Sequence, residues 1–471
     1  MKLAGDDFQG TERFAVRRRL GTGGVGAVYE AYDRERAETV ALKTLRWQDP
    51  TAIYRLKKEF RSLSDVAHPN LVSLYELVAE ADTWFYTMEL VDGVDFLAHV
   101  RPDLQGQPEA ARARSHPGPA PDIPRLRAAL SQLVAGVLAL HRAGILHRDL
   151  KPSNVLVTRA GRVVILDFGV AAVVAPASRR QTEEGLWGTA AYMAPEEGDG
   201  QRSPAGDWYA VGVMLYESLT GRLPFLGSAL KIMAEKTQQD PPSPSELVPG
   251  LPADLVDLCR GLLLRDPAHR PGDAELRQRS RAGHPTAGAG LARGPWLAPL
   301  VGRARELAEL RDAFALVKSG PAVALYVHGP SGIGKSALVR QFVDALEQEG
   351  AALVLSGRCY ERESVPYKAL DGVIDSLSRH LMALPRAQVD AVLPREVAAL
   401  TRLFSVLLRV EAFGDARVGE REPGDPLELR RRGFASLREL FTRLSARAPV
   451  VVFIDDLQWA DQDSIALLED L

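Results

Sequence analysis

The first part of the chain alternates between apolar and polar positions, and this alternation predicts short β-strands. The predicted strands are residues 16–20, 27–32 and 39–42. The pattern then becomes helical over residues 54–65, where Leu56, Phe60 and Leu63 fall on one face. We therefore expect a small β-rich lobe with one helix over about residues 13–90.

A longer helical stripe at residues 125–142 predicts the core helix of a second lobe. Its apolar members are Leu126, Leu130, Leu133, Val134, Val137, Leu138 and Leu140. Residues 101–124 are rich in Pro, Ala and Arg and predict a surface insertion. A second biased segment, residues 276–298, predicts a linker between domains.

Beyond this segment the pattern changes to alternating strands and helices. Apolar strands are predicted at residues 323–327, 352–355 and 450–454. Helices are predicted at residues 304–318, 335–347 and 427–446. Continuously apolar strands that alternate with helices are typical of a parallel sheet covered on both faces, so we expect an α/β domain here.

Length, charge and cysteine content bound the class of protein. The chain has 471 residues, enough for two or three domains. Its 58 basic and 61 acidic residues nearly balance, which gives no support for bulk binding to nucleic acid or membrane. Two distant cysteines fit a reducing cytoplasm. The start of the chain is acidic and we find no run of about 18 apolar residues, so we expect a cytoplasmic protein.

A glycine-rich segment early in the chain has the spacing of a phosphate-binding loop. Residues 21–28 match G-x-G-x-x-G-x-V. A dinucleotide-binding turn should open a helix, but the residues that follow alternate like a strand, which favours a hairpin lying over phosphates. The residues predicted to contact nucleotide are Leu20, Gly21, Thr22, Gly23, Gly24, Val25, Gly26, Ala27 and Val28.

Lys43 ends an apolar strand 17 residues after the last of these glycines. A lysine at a strand end is usually only solvated, but this position favours contact with the α- and β-phosphates of a nucleotide. Such a lysine needs a carboxylate to fix it. Glu59, on the helix that follows, is the predicted partner.

The segment from His147 to Asn154 places a carboxylate, an ammonium and an amide on one short loop. Asp149 is predicted to orient a substrate hydroxyl, and Lys151 to neutralise a γ-phosphate. Asn154 and Asp167 are predicted to ligate Mg²⁺.

These motifs together resemble the eukaryotic-like serine/threonine protein kinases over residues 13–275. The resemblance implies an α+β two-lobed fold, with a small lobe at 13–90, a large lobe at 91–275, and ATP between them. It also implies a hinge near Glu89 and Val91, both expected to contact ATP, with Met88 as gatekeeper. Lys151 resembles the serine/threonine branch.

The resemblance also assigns supporting roles outside the catalytic loop. Asp207 is expected to brace that loop, and Glu196 and Arg270 to form a buried ion pair. Arg148 resembles the arginine of kinases that an activation-loop phosphate controls. The candidate autophosphorylation sites are Ser178, Thr182 and Thr189.

A second phosphate-binding motif lies in the α/β part, where residues 329–336 match G-x-x-x-x-G-K-[ST] between a predicted strand and a predicted helix. The predicted nucleotide-contacting residues are Gly329, Gly332, Gly334, Lys335 and Ser336. Ser336 and Asp455 are predicted to support Mg²⁺, and Asp456 to activate water.

Residues 299–471 resemble the AAA-like ATPases of the signal-transduction (STAND) group, on the Val-Gly-Arg segment at 301–303, the P-loop and the acidic strand end. The resemblance implies a P-loop NTPase domain with a parallel sheet. Residue 471 falls inside an amphipathic helix soon after the acidic strand. We therefore expect an incomplete, C-terminally truncated module.

The sequence predicts a cytoplasmic protein kinase that uses ATP and Mg²⁺ and acts on Ser or Thr of proteins, with a nucleotide-binding regulatory module. Two alternatives stay open. In one, the P-loop module is the central signalling or transcription-regulatory switch and the kinase is accessory. In the other, the kinase fold binds partners without catalysis, although Lys43, Asp149 and Asp167 are all intact.

Overall fold

The structure is a computed structural model. It describes residues 8–22, 26–45, 49–64, 66–80, 83–104, 121–167, 190–281, 302–317, 322–330, 332–417 and 425–471. The chain divides into two compact units, one built mainly from residues up to 295 and one mainly from residues 296–471.

A small lobe of five strands and one helix is formed by residues 14–89. Its strands are β1 (Phe14–Thr22), β2 (Gly26–Asp33), β3 (Glu38–Leu45), β4 (Leu74–Glu80) and β5 (Thr83–Glu89). They lie in the spatial order β1-β2-β3-β5-β4, and β2 pairs antiparallel with both β1 and β3. Helix α1 (Pro50–Leu63) buries the predicted stripe of Leu56, Phe60 and Leu63. It begins four residues earlier than predicted because Asp49 accepts the backbone N–H groups of residues 51 and 52.

The large lobe is mainly helical. After β6 (Gly93–Asp95) its helices are α2 (Phe96–Val100), α3 (Ile123–Arg142), α4 (Pro204–Thr220), α5 (Ala229–Gln238), α6 (Pro244–Leu247), α7 (Ala253–Leu262) and α8 (Asp273–Arg281). Strands β7 (Val155–Thr158) and β8 (Val163–Ile165) form an antiparallel sheet with β6. Helix α4 is buried along almost its whole length, from Gly206 to Thr220, and forms the centre of the lobe.

Helix α3 is the one described helix that is long and apolar enough to cross a membrane by length and composition. Half of its most apolar window is buried inside the structure, and its buried residues are those of the predicted stripe, such as Leu126, Leu133 and Val137. Such burial is typical of a core helix in a folded lobe.

The second unit contains helices α9 (Ala304–Val317), α10 (Lys335–Gln348), α11 (Lys368–Ala383), α12 (Arg386–Asp390), α13 (Val397–Leu403), α14 (Glu411–Arg417), α15 (Pro426–Ser445) and α16 (Gln462–Asp470). Its strands are β9 (Leu353–Arg358), β10 (Glu363–Ser364) and β11 (Val450–Asp455). Strand β11 pairs in parallel with β9 from Val450 opposite Leu353 to Asp455 opposite Arg358. The parallel pairing that the sequence predicted is therefore present. A core around Leu370, Ile374 and Leu437 packs beside it.

One predicted strand of this unit is wrong. Residues 323–327 have no strand assignment, and their apolar side chains are open to solvent: Val323 is 40% exposed, Leu325 54% and Tyr326 78%. The local pattern suits a buried strand, but a strand exists only when a neighbouring backbone accepts its N–H groups. Among the described residues no segment pairs with 323–327.

Two predicted segments lie largely outside the described residues. They are the surface insertion, of which 105–120 falls outside, and the linker, of which 282–298 falls outside.

Candidate active site

Lys43 of β3 forms ion pairs with two carboxylates in the first unit. Its Nζ lies 2.9 Å from Glu59 Oε1 on α1 and 2.8 Å from Asp167 Oδ1, which follows β8. The Lys43 and Glu59 side chains are almost buried, whereas the Asp167 side chain is 38% exposed. The Glu59 bond thus fixes the lysine within the small lobe, while Asp167 stays open to a ligand. The sequence predicted the first pair but not the second.

The charges of this cluster set its protonation. Burial acts to lower the pKa of Lys43, but the surrounding acidic groups, Glu59 first, hold that pKa well above its usual range. Burial acts to raise the pKa of Asp167, but the charge and hydrogen bond of Lys43 outweigh it, so the pKa is lowered. At neutral pH the cluster therefore contains an ammonium and an ionised carboxylate that is ready to bind a cation.

Tyr86 of β5 is a further member of the cluster that the sequence reasoning missed. Its ring is 2% exposed, and its hydroxyl donates a 2.8 Å hydrogen bond to the same Glu59 oxygen that binds Lys43. Burial and the charge of Glu59 raise the pKa of Tyr86 well above its usual range, so the hydroxyl stays a donor. A buried tyrosine hydroxyl needs a hydrogen-bond partner. A tyrosine that directly follows apolar residues was therefore the sequence signal that could have indicated this contact.

The loop after α3 brings Asp149, Lys151 and Asn154 together. Lys151 Nζ lies 3.0 Å from Asp149 Oδ2. Asn154 Nδ2 donates to the backbone oxygen of Asp149 at 2.8 Å and to its Oδ2 at 3.0 Å. The Asp149 side chain is 30% exposed, so an incoming hydroxyl can reach it. The ammonium and the amide hold this carboxylate in one orientation.

Asp207, at the start of α4, holds the backbone of this loop. It accepts the N–H groups of His147 at 2.9 Å and Arg148 at 2.8 Å, and His141 Nε2 lies 2.8 Å from it. Burial acts to raise the pKa of Asp207, but the hydrogen bond of His141 and the charge of His147 outweigh burial and lower that pKa. The ionised acceptor fixes Arg148 in a left-handed conformation, with φ of 68°.

Asn154 and Asp167 fit the hard cation that was predicted for them. Leu166 N donates to Asn154 O at 2.8 Å, so the two segments lie side by side. The Nδ2 of Asn154 is used by Asp149, which leaves its amide oxygen for a cation. The described residues contain no group of three or more His, Cys, Asp or Glu suited to a metal. From these two segments, the Asn154 amide oxygen and the Asp167 carboxylate would be the side-chain ligands of such a cation.

The glycine-rich segment forms the hairpin of β1 and β2. Thr22 pairs with Ala27, and Gly21 with Val28. A Cβ on Gly26 would lie 1.9 Å from the carbonyl oxygen of Thr44, so only glycine fits there. No atom of the described residues outside its chain neighbours lies within 4 Å of a Cβ built on Gly21, which leaves room for a ligand on that side. Predicted contacts Gly23, Gly24 and Val25 lie outside the described residues, and Leu20 is 39% exposed.

The predicted hinge follows β5. Met88 is buried, and the Glu89 side chain forms a paired ion contact with Arg162, at 2.7 and 2.8 Å. The Glu89 side chain is therefore occupied, and its backbone N–H donates to the carbonyl oxygen of Ser73 at 2.9 Å, which leaves the Glu89 carbonyl oxygen for a nucleotide. Val91 is half-buried just beyond it.

The large lobe contains the predicted ion pair of Glu196 and Arg270 and one further buried contact. Arg270 contacts Glu196 through two hydrogen bonds of 2.6 and 2.8 Å. Tyr192 donates to Glu217 at 2.6 Å. Ser178, Thr182 and Thr189 themselves lie outside the described residues.

The P-loop of the second unit has its predicted residues close together. Gly332 and Gly334 take φ of 79° and 96°, which suit glycine, and helix α10 begins directly at Lys335. Lys335 Nζ donates to the carbonyl oxygens of Gly329 at 3.0 Å and Pro330 at 3.1 Å.

The acidic strand end lies beside the P-loop helix. Ser336 Oγ donates to Asp455 Oδ1 at 2.8 Å, so the two predicted Mg²⁺ ligands are neighbours. Asp456 pairs with Arg358 at 2.9 Å. Burial acts to raise the pKa of Asp456, but its hydrogen bonds from Gln458 and Arg358 lower it. In this arrangement Asp456 is a weak base, and its predicted role in water activation stays a prediction.

The first unit as a whole defines a class of protein. Its small lobe supplies a glycine-rich hairpin and a lysine that a helix carboxylate fixes. Its large lobe supplies a loop with Asp, Lys and Asn next to an aspartate that is suited to bind a metal ion. Together these groups form a site for phosphoryl transfer. The protein kinase domain family matches residues 14–280, and the chain belongs to this family.

Curated relatives agree with that assignment. The chain is 33% identical over 268 residues to the serine/threonine-protein kinase PrkC of Bacillus subtilis, covering 56% of this chain and 39% of PrkC. It is 35% identical over 270 residues to PknA of Mycobacterium tuberculosis, covering 55% and 58%, and 34% identical over 267 residues to PknL of the same species, covering 56% and 63%. The chain thus spans less than two thirds of the length of these relatives.

The AAA ATPase domain family matches residues 299–471. This match agrees with the P-loop and the parallel pairing of β9 and β11. The chain therefore combines a protein kinase domain with an AAA ATPase domain.

Proposed function

We propose that this protein is a serine/threonine protein kinase that transfers the γ-phosphoryl group of ATP to protein hydroxyls. The observation that carries the proposal is the pair of fixed clusters in the first unit. Lys43 is held by Glu59, and Asp149 is held by Lys151 and Asn154. Each side chain that phosphoryl transfer requires is present and oriented by a neighbour.

The roles of these residues follow from their charges. Asp149 orients the acceptor hydroxyl and takes its proton, while Lys151 neutralises charge on the moving phosphoryl group. Lys43 would hold the α- and β-phosphates of ATP, and Asn154 and Asp167 would hold the metal ion. Mg²⁺, when bound, neutralises the phosphate oxygens on which charge develops.

The test is phosphate transfer from labelled ATP to a Ser/Thr peptide. Asp149→Asn keeps the size and one acceptor oxygen but removes the base, so we expect kcat to fall by at least about a thousandfold. Asp257→Asn changes an exposed acid on α7 and serves as the matched control. Transfer that survives in Asp149→Asn at the control rate contradicts the proposal.

For the second unit, we propose a nucleotide-binding module that regulates the kinase. The support is the P-loop with Lys335 and Ser336 beside Asp455. In the competing function this module is the main signalling switch and the kinase is accessory. The variant Lys335→Ala distinguishes these two functions. If the module regulates the kinase, the substitution changes the rate of phosphate transfer by the kinase. An unchanged rate favours the competing function.

We also propose that phosphorylation of the segment that contains Ser178, Thr182 and Thr189 controls the activity of the kinase. We place the protein in the cytoplasm. Serine/threonine kinases act on proteins and commonly phosphorylate themselves. The Nε of Arg148 is buried and has no hydrogen-bond partner among the described residues, which leaves it available for a phosphate at Ser178, Thr182 or Thr189. Mass spectrometry of the active protein tests this, because an active enzyme without modification in this segment excludes it.

A further inference from the structure

Lys236 is a buried lysine that no step of the proposed reaction uses. It lies near the end of α5, and only Ile232 and Lys236 of that helix are buried. Lys236 is 1% exposed, although lysine is rarely buried without a partner. Such a side chain needs acceptors for all its donors, because an unpaired buried ammonium is very costly.

Three backbone carbonyls supply those acceptors. Lys236 Nζ donates to the oxygens of Ala190 at 2.9 Å, Ala191 at 2.7 Å and Met193 at 2.7 Å. An ammonium has three N–H groups, so these contacts use all of them. The ring of Tyr209 lies 5.1 Å from the same nitrogen and adds a cation–π contact.

The segment held in this way borders the candidate acceptor site. Tyr192 and Met193 line the same small pocket beside the catalytic loop as Arg148 and Asp149. Lys236 therefore holds the backbone of a segment that lines the same pocket as Asp149. It touches neither Asp149 nor the pocket itself among the contacts that the structure gives.

We infer that Lys236 is a positioning residue for the protein acceptor, because it fixes the backbone of residues 190–193 as a surface against which the acceptor peptide binds beside Asp149. The inference rests on the proposed kinase function. Its ligand is a peptide segment next to a Ser or Thr, not the nucleotide.

Burial makes the charge of Lys236 sensitive to pH near neutrality. Burial lowers the pKa of Lys236 to about 7, and the charge of Glu197 opposes that shift. The carbonyl contacts also oppose it, since a neutral amine has only two N–H groups for three oxygens.

The test compares two substitutions of graded severity in the full chain. Lys236→Met keeps the length but removes all donors, and Lys236→Gln keeps an amide with two. We expect the KM for a Ser/Thr peptide to rise by about tenfold in the first and by about threefold in the second. The KM for ATP and the slow transfer of phosphate from ATP to water should stay within about twofold of wild type.

Lys231→Met is the matched control, because Lys231 lies on the same helix but is 61% exposed. A peptide KM unchanged in both Lys236 variants overturns the inference. Equal losses in peptide transfer and in ATP hydrolysis overturn it too, because they indicate a general structural role. If Lys236→Met does not fold, Lys236→Gln decides. Failure of the kinase proposal is distinct, since it appears as wild-type transfer in Asp149→Asn.

Discussion

At the scale of single residues, the kinase site depends on one carboxylate oxygen that accepts two hydrogen bonds. Glu59 Oε1 receives both Lys43 and Tyr86, so the carboxylate is fixed from two directions. Lys43 is shared between Glu59 and Asp167, so the hydrogen bond from Tyr86 gives Glu59 a partner of its own.

Replacing Tyr86 by Phe removes that hydrogen bond and keeps the ring. We expect kcat/KM for ATP to fall about threefold to tenfold, because a buried hydrogen bond contributes about 0.5–1.5 kcal/mol. Steady-state kinetics at saturating peptide measure this. Tyr75→Phe on β4 is the control, since its hydroxyl is outside the Lys43 cluster. Equal kinetics for the two variants contradict the role of Tyr86.

The pair of Arg13 and Asp33 gives a pH-dependent contribution to stability. Burial acts to raise the pKa of Asp33, but the hydrogen bond from Arg13 and two backbone N–H groups lower it below its ordinary value. A carboxylate with a lowered pKa in the folded state stabilises the fold above its unfolded pKa, near 3.8, and loses that contribution as the pH falls through the folded value.

We therefore expect Arg13→Met to lower the Tm at pH 6, and the difference from wild type to narrow as the pH falls below about 4. Thermal unfolding followed by circular dichroism across this pH range measures both. Arg159→Met, at a 91% exposed side chain, is the control. A difference that widens in acid has the wrong sign and refutes the assignment.

At the scale of elements, helices were predicted better than strands. Helices α3, α10 and α15 begin and end within two residues of their predicted bounds, because their apolar stripes and end residues are local features. The strand predicted at 323–327 failed because strand formation depends on a backbone partner elsewhere in the chain. β9 and β11 have partners in each other, and both formed.

The packing of α4 against α7 leads to a prediction about the large lobe. A Cβ on Gly212 would lie 2.7 Å from Leu262 Cβ and 3.3 Å from the Leu262 backbone carbon. Gly212→Ala should therefore destabilise the lobe by about 1–3 kcal/mol through overpacking, despite the better helix propensity of alanine. A lowered Tm measures this, with Gly272→Ala as the control because no atom from the described part of the chain, its neighbours in sequence aside, lies within 4 Å of its Cβ. An unchanged or higher Tm for Gly212→Ala contradicts the packing.

At the scale of the whole molecule, two nucleotide sites stand on two units that differ in architecture. The first takes its residues from a hairpin, a strand, a helix and a loop. The second takes its residues from one loop, the first turn of α10 and one strand end. Binding of ATP to one should not require the chemistry of the other.

We expect about two ATP molecules to bind the wild-type chain with Mg²⁺, and about one to bind Lys335→Ala, whose P-loop loses its phosphate-binding charge. Equilibrium dialysis with labelled ATP measures the stoichiometry. Lys318→Ala is a control lysine outside the P-loop motif. Full stoichiometry in Lys335→Ala shows that the P-loop holds no nucleotide through this lysine.

The sequence by itself determined the order of the motifs and the elements that carry them. Glycines at 21 and 26, Lys43, the loop around Asp149 and the P-loop are short local patterns whose chemistry can be recognised without coordinates. It also determined the five helices with a clear apolar stripe, α1, α3, α9, α10 and α15, since that periodicity is local.

Only the tertiary structure decided which distant side chains serve those motifs. Tyr86 is 27 residues from Glu59, and Lys236 is 43 residues from Met193, so no sequence spacing connects them. A lysine on the buried face of α5 indicates that acceptor groups must lie nearby, but the sequence does not identify those groups. The physical reason is that hydrogen bonds and burial act between groups that folding brings together, whereas periodicity records only neighbours along the chain.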